Sequence, residues 1–329
     1  MYIADEKRYE KTKYAFSGNS GLQLPRVSLG IWHNFGTYDD YENMKKMCFA
    51  AFDNGITHFD AANNYGPVAG SAEANFGKIL KEEMSAYRDQ MIISSKAGYY
   101  MWEGPYGDGG SRKYLLSSLD QSLKILGLDY VDIFYHHRMT PETPLEETME
   151  ALSHIVKSGK ALYVGLSNYD GKTLEKATKL LDESKTPFII NQNAYNILNR
   201  TVEENGLLDM SQKLKKGVIC FSPLAQGILT DRYLGGIPDG SRASKKHFLK
   251  PEQLTPELIK KVSALNEIAK ERGQSLAQMS LSWVLNNPAV TSVLIGASSP
   301  EQILDNLGCV NSPAFTQDQL DAIDKIALA

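Results

Sequence analysis

Eight short apolar runs, each followed by a longer amphipathic stretch, constrain this chain more than any single motif does. The runs cover residues 26–31, 56–60, 91–96, 131–137, 161–167, 187–192, 216–222 and 290–296. They do not alternate strictly between apolar and polar residues, which is how parallel strands covered by helices read. Helical spacing follows over 38–54, 71–84, 111–126, 145–158 and 171–183, from near 201, over 256–272 and 275–286, and over 300–308. Eight strand–helix units in 329 residues predict an α/β chain folded as a closed (β/α)₈ TIM barrel, one domain over residues 1–329. An open doubly wound sheet is the rival, and it usually carries an early Gly-rich nucleotide turn. Residues 16–24, FSGNSGLQL, do not supply one and read as a β-hairpin capping the barrel bottom. The last stretch, TQDQLDAIDKIALA, reads as a C-terminal accessory helix packed outside.

Helix boundaries have local causes. Pro144 and Pro300 suit first-turn positions, where a missing amide proton costs nothing. Gly55 and Gly159 suit helix ends that need a left-handed residue, and Pro288 ends the helix carrying Trp283. The Leu, Met and Trp residues of 276–285 read as a core stripe. Two loops follow strand ends and so belong at the barrel's catalytic mouth: 98–111, rich in aromatics and Gly, and 225–248.

Charge excludes some functions. A net charge of −4 with no basic stripe argues against a nucleic-acid partner. The three cysteines, Cys48, Cys220 and Cys309, have no paired spacing and read as buried free thiols in a reducing compartment. The charged start, MYIADEKRYEKTKY, does not read as a signal peptide, and no run of 18 apolar residues occurs. A soluble, cytoplasmic protein with no membrane partner is expected.

Four reactive side chains fall at or just past consecutive strand ends: Asp60 and Tyr65, then Lys96, then His137. Barrel closure brings adjacent strand ends together. A phenol is a poor acid, and a neighbouring ammonium favours its ionised form, so Lys96 is expected to lower the Tyr65 pKa. Asp60 can hold Lys96 by an ion pair, and His137 can donate to a substrate oxygen. Such a set polarises a carbonyl and delivers a proton to it. It has no activated nucleophile and needs an external hydride donor. Taken singly, Asp60 could cap a loop and Tyr65 could be a rim aromatic, whereas a lone buried Lys is rare. Alternation puts His136 and His137 on different faces, and the placement of His58 relative to Asp60 stays open. His33, His58, His154 and His247 show no metal-ligand spacing, so no metal site and no metal-dependent hydrolase is expected. Trp32, Tyr99, Trp102 and Tyr106 are candidate walls of the substrate pocket, and Arg138 could pair with a substrate phosphate or with an internal acid.

In these segments the chain resembles the aldo-keto reductases. The resemblance runs from LPRVSLG to EQILDNLG through ITHFDAANNYG, ISSKAG, YVDIFYHHR, VGLSNYD, FSPLAQGIL and GASSPEQILDN. The ordered set is more specific than any one string. It is most like bacterial reductases of the glyceraldehyde-3-phosphate and methylglyoxal type, with potassium-channel β subunits as relatives, especially at GGIPDGSRAS and GASSPEQ.

The resemblance implies reduction of small aldehydes or ketoaldehydes, with Tyr65 as general acid, Lys96 and Asp60 tuning it and His137 orienting the carbonyl. Trp32, Tyr65, Tyr99, Trp102 and His137 would meet substrate. Trp32, Asp60, Ser167, Asn168 and Gln192 would lie at the nicotinamide, with Tyr195 stacked under its ring. Ser222, Leu224, Gln226 and Gly227 would line the pyrophosphate, and Arg232 and Arg242 would reach phosphate or adenine. Gly296, Ser298, Gln302 and Asn306 would hold the adenosine end beside the helix opening at Pro300. Many members carry Lys or Arg next to this last motif, whereas this chain has Ser298-Ser299. NADPH is the expected cofactor, with NADH use left open. The channel-like branch also suggests a homo-oligomer, a tetramer or larger, and a redox-sensing binding subunit as the rival function.

Overall fold

A computed structural model describes residues 2–245 and 249–328. In chain order, the hairpin strands β1 (Tyr14–Phe16) and β2 (Gln23–Pro25) precede β3 (Val27–Gly30), α1 (Tyr41–Phe52), β4 (His58–Asp60), α2 (Ser71–Ile79) and β5 (Ile92–Ala97). Then come α3 (Arg112–Leu126), β6 (Val131–His136), α4 (Leu145–Lys157), β7 (Ala161–Ser167), α5 (Gly171–Glu183) and β8 (Phe188–Ala194). The chain continues with α6 (Thr201–Glu204), α7 (Leu207–Lys213), β9 (Gly217–Phe221), α8 (Arg242–Lys245), α9 (Pro256–Glu271) and α10 (Leu276–Asn286). It closes with β10 (Val290–Ile295), α11 (Pro300–Leu307) and α12 (Gln317–Leu328).

β3 to β10 form a closed parallel barrel, β10 pairing both β9 and β3. The barrel, the antiparallel hairpin and the outer C-terminal helix stand where the sequence places them. Helix starts are fixed locally: Asp40, Ser111, Asp170, Thr255 and Ser275 each accept a backbone amide proton at an N-cap. Gly55 and Gly159 take the left-handed conformation at φ 80° and 78°. Pro300 opens its helix, but Pro144 is the cap itself, with Leu145 the first helical residue. The second helical stretch also differs from its spacing: it is α-helical only to Ile79 and passes through a π turn over Leu80–Met84. The three cysteines are free and buried.

The barrel interior is layered. At the bottom, Leu24 of the hairpin plugs a cluster of Ile92, Ile133, Ile190, Ile219 and Leu294. The plug is anchored by Ser17, whose hydroxyl donates to Ile189 O at 3.0 Å, and by Asn19, whose amide donates to Lys215 O at 2.8 Å. Higher up, the Tyr135 ring crosses the interior against Gly165; a Cβ there would lie 2.2 Å from the ring, so only glycine fits. Toward the mouth from there the interior holds the site. Leu24→Ala should therefore cost about 2–5 kcal/mol, as a large-to-small change at a fully buried position does. Chemical denaturation of the full chain measures it.

Candidate active site at the barrel mouth

The strand register does what alternation requires. Asp60 is the last residue of β4, and it pairs laterally with Ser94 of β5. Lys96, two residues further along β5, points to the same interior face. His137 follows directly after β6, and its amide donates to Ala97 O at 2.9 Å. Lys96 Nζ lies 2.5 Å from Asp60 Oδ2, 2.7 Å from Ala61 O and 3.2 Å from Tyr65 Oη. Neither partner of the ion pair has exposed surface. The Tyr65 ring lies 5.9 Å from that of His137, edge on. Four residues spread over 78 positions of sequence thus meet at one point.

Neighbours hold this cluster. Gln192 Nε2 donates to Asp60 Oδ1 at 3.1 Å. Asn168, in the left-handed conformation, donates from Nδ2 to His137 O at 3.0 Å and to Ser167 Oγ at 3.2 Å. Trp32 stands 5.9 Å from Tyr65, and Tyr99 sets its ring against His137 at 4.6 Å. Trp102 packs instead on Tyr114, at 5.3 Å. Tyr106 is exposed. Arg138 is internally paired: Nη2 meets Asp108 Oδ1 at 2.8 Å and Nε donates to Gly98 O at 2.7 Å.

Burial sets the protonation states. It pushes the Tyr65 phenol well above its ordinary value, and the charge of Asp60 adds to the effect. This corrects the expectation that Lys96 lowers Tyr65: desolvation of the phenolate outweighs the nearby ammonium, and the phenol keeps its proton. Burial likewise lowers Lys96, against the pull of Asp60, and holds His137 well below its usual range with help from Lys96. His137 is therefore a neutral imidazole, and its Nδ1 is buried without a hydrogen-bond partner.

The residues expected along a dinucleotide lie on the other half of the mouth. Ser222, Ala225, Gln226 and Gly227 have positive φ of 51°, 46°, 62° and 95°, so the chain after β9 coils into a tight left-handed turn that includes Leu224. Asn196 donates to Ser222 O at 2.9 Å. Tyr195 gives its hydroxyl proton to Glu203 and packs on Trp283 at 5.2 Å. Arg242 Nη2 sits over Gly296, 3.6 Å from where a Cβ would stand, and Arg232 is close enough that its charge lowers the Arg242 pKa further after burial. Ser298 donates from its amide and hydroxyl to Gln302 Oε1, and Asn306 is buried on the same helix. Ser299 makes no side-chain cap to α11. Residues 246–248, which end the 225–248 loop and include His247, lie outside the described residues.

Three buried groups escape a reading that stops at strand ends. His58 and Ser94 sit two residues before Asp60 and Lys96, on the same interior faces, and period-two counting alone would have found them. Glu73 of α2 is wholly buried behind β5, where Ser95 Oγ donates to it at 2.5 Å. Burial raises its carboxyl from 4.5 to about 7, partly opposed by the hydrogen bond from Ser95 and by Lys96. The folded chain thus keeps a proton there that the unfolded chain releases, so this contribution to stability is full below 4.5 and is lost as pH rises toward 7. Glu73→Gln, always neutral, should flatten the fall in Tm over that window and leave the variant the more stable at alkaline pH. Thermal scans across pH test this.

A parallel eight-stranded barrel with a phenol, an ammonium, a carboxylate and an imidazole converging at its carboxyl mouth is an enzyme of the TIM-barrel class. The chain belongs to the aldo/keto reductase family, whose model matches residues 26–328, and it is an oxidoreductase. It is 54% identical over 329 residues to the L-glyceraldehyde 3-phosphate reductases of Escherichia coli O157:H7 and strain K12, covering 99% of this chain and 95% of each relative. It is 36% identical to a putative voltage-gated potassium channel β subunit of Schizosaccharomyces pombe, covering 95% of this chain and 92% of that one. A crystal structure of a thermostable aldo-keto reductase with the inhibitor epalrestat superposes with a TM-score of 0.75 at 30% identity, covering 95% of this chain and 99% of that one. No helix among the described residues is long and apolar enough to cross a membrane.

Proposed function

We propose that the protein reduces small aldehydes or ketoaldehydes of the glyceraldehyde 3-phosphate or methylglyoxal type, using NADPH, with Tyr65 as general acid. The observation that carries this reading is the contact of Lys96 Nζ with both Asp60 and Tyr65 inside a wholly buried pocket floor. The name of the 54% identical relatives supports the substrate class.

Three features of this chain fit a dinucleotide. In the left-handed turn at 222–227 the Ala225 and Gly227 amides are spent on Ser222 O and Leu224 O, and Gln226 Oε1 is buried without the partner that a bound cofactor could supply. Ser299 does not cap α11, although the Glu301 carboxylate takes its own amide in the first turn, and a helix N-terminus suits phosphate. Arg242 beside Gly296 supplies a fixed charge, which Ser298 and Ser299 lack. Ser222, Leu224, Gln226 and Gly227 would hold the pyrophosphate, and Arg232 and Arg242 the outer phosphate. Gly296, Ser298, Gln302 and Asn306 would hold the adenosine. Ser167, Asn168 and Gln192 would meet the carboxamide, with Tyr195, Trp32 and Asp60 at the ring. When bound, the cofactor supplies the hydride.

The chain's own residues do the rest. His137, neutral, donates to the carbonyl oxygen and fixes its direction. Tyr65, kept protonated by burial, lies on the same side and gives its proton to that oxygen as negative charge develops. Lys96 then faces the phenolate at 3.2 Å and stabilises it. Trp32 and Tyr99 wall the approach. The Arg138–Asp108 pair braces the 98–111 loop against the segment after β6 that carries His137.

Tyr65→Phe removes the proton and, with it, one of the three acceptors of Lys96. It should lower kcat by about 10²–10⁴-fold, the usual worth of a positioned acid, while leaving NADPH affinity near that of the parent. Stopped-flow oxidation of NADPH with methylglyoxal and with glyceraldehyde 3-phosphate reads both. An unchanged chemical step would end the assignment. Tight NADPH binding with no oxidation by any aldehyde would favour a sensing subunit, the role that the channel β subunits' similarity raises.

A further inference from the structure

Beneath the ion pair, a single file of hydrogen-bonding groups runs down the barrel axis. Ser292 Oγ donates to Pro25 O at 2.7 Å. Ser28 Oγ lies 2.8 Å from Ser292 Oγ and 3.0 Å from His58 Nδ1. His58 Nε2 lies 3.0 Å from Ser94 Oγ, which contacts Asp60 Oδ1 at 2.6 Å. Asp60 Oδ2 then meets Lys96, and Lys96 meets Tyr65. Ser28, His58, Asp60, Ser94, Lys96 and Ser292 are all 0% exposed, so bulk solvent cannot complete any of these bonds.

The protons can be counted from the closed end. Pro25 offers only a carbonyl there and must accept, which uses the one proton of Ser292. Ser28 must then donate to Ser292, and His58 must donate from Nδ1 to Ser28. One link remains, between Nε2 and Ser94. If Ser94 gives its proton to Asp60, Nε2 must donate as well, and His58 is an imidazolium. If Nε2 accepts, the proton in the 2.6 Å contact must come from Asp60. Either way the five links from Pro25 to Asp60 need five protons, while a neutral His58 and the three serines bring four.

We propose that His58 and Asp60 share one proton through Ser94, and that His58 is thereby a positioning residue that sets the charge Asp60 presents to Lys96 and Tyr65. The string is closed at Pro25 O, so it stores a proton and does not conduct one. Burial presses His58 down to about 4, Asp60 opposes that and Lys96 adds to it. The titratable groups around the string are Asp60, Lys96, Tyr135 and Tyr163 inside the barrel, with Tyr65 and His137 at the mouth. In turnover the Tyr65 O–H bond breaks and its proton joins the substrate oxygen. The phenolate takes a proton from Lys96 Nζ, and the shared proton, held at Asp60, leaves no bare carboxylate beside the neutral amine. Solvent at the mouth returns the proton by way of Tyr65, the member of the set with exposed surface, and Tyr65 passes it back to Lys96. This step rests on the proposed reductase activity, whereas the shared proton does not.

The test uses the full chain with its six histidines labelled with ¹⁵N, with and without NADPH, and His58→Gln to identify the His58 signals. A proton resident on Nδ1, with Nε2 the nitrogen that titrates, is expected; a proton on Nε2 with Nδ1 bare would overturn the proposal. The second readout is the pH profile of kcat for methylglyoxal. Ser28→Ala, which removes the Nδ1 acceptor and the donor to Ser292 but leaves His58 in place, serves if His58→Gln does not fold and should displace the profile by about one pH unit with NADPH affinity kept within about threefold. Lower kcat or Tm with the profile in place would reduce His58 to a packing role and sink the proposal. If the wild-type chain reduces no aldehyde at any pH, the functional reading fails, and the ring-nitrogen spectrum alone decides the shared proton.

Discussion

A lysine ammonium with no exposed surface must have every proton accepted, and Lys96 meets that demand with Asp60 Oδ2, Ala61 O and Tyr65 Oη. Asp60 in turn receives Lys96, Ser94 and Gln192. Taking such a pair out of water costs several kcal/mol per ion before geometry returns any of it. The pair persists because barrel closure supplies donors and acceptors from β4, β5 and β8 at fixed distances. A flatter or open sheet would leave β4 and β8 far apart, and Gln192 could not reach Asp60.

The rest of the interior can be understood as what that pair needs. Below it lies a polar column of His58 and serines, sheathed by the isoleucines of the lower layer and stoppered by Leu24. Gly165 gives up its side chain so that Tyr135 can close the space between the layers. Outside the barrel, Glu73 places a second carboxyl behind β5, close enough to interact with Lys96. The dryness that makes these groups expensive also keeps Tyr65 a phenol and His137 neutral, the states in which each can donate.

The other half of the mouth is built on a different economy. There the chain offers a left-handed turn after β9, the start of α11 that Ser299 leaves uncapped and the guanidinium of Arg242 near Gly296. No Gly-rich nucleotide turn follows the first barrel strand. The barrel therefore places these elements after its seventh and eighth strands, where loop and helix termini converge.

The eight-unit pattern by itself determined the barrel, because short apolar runs separated by amphipathic helices have few other ways to bury both faces. It also determined which side chains meet at the mouth, since Asp60, Lys96 and His137 all fall at or beside strand ends. Local chemistry fixed most helix limits, but not the π turn after Ile79 or the cap at Pro144, which depend on how the helices settle against the barrel. Only the tertiary structure decided the sign of the Tyr65 shift, because that depends on how completely the phenol is buried, and sequence shows neighbours without showing solvent. It alone joined His58 to Ser28 and Ser292, since residues 264 positions apart become neighbours only where the last barrel strand closes onto the first.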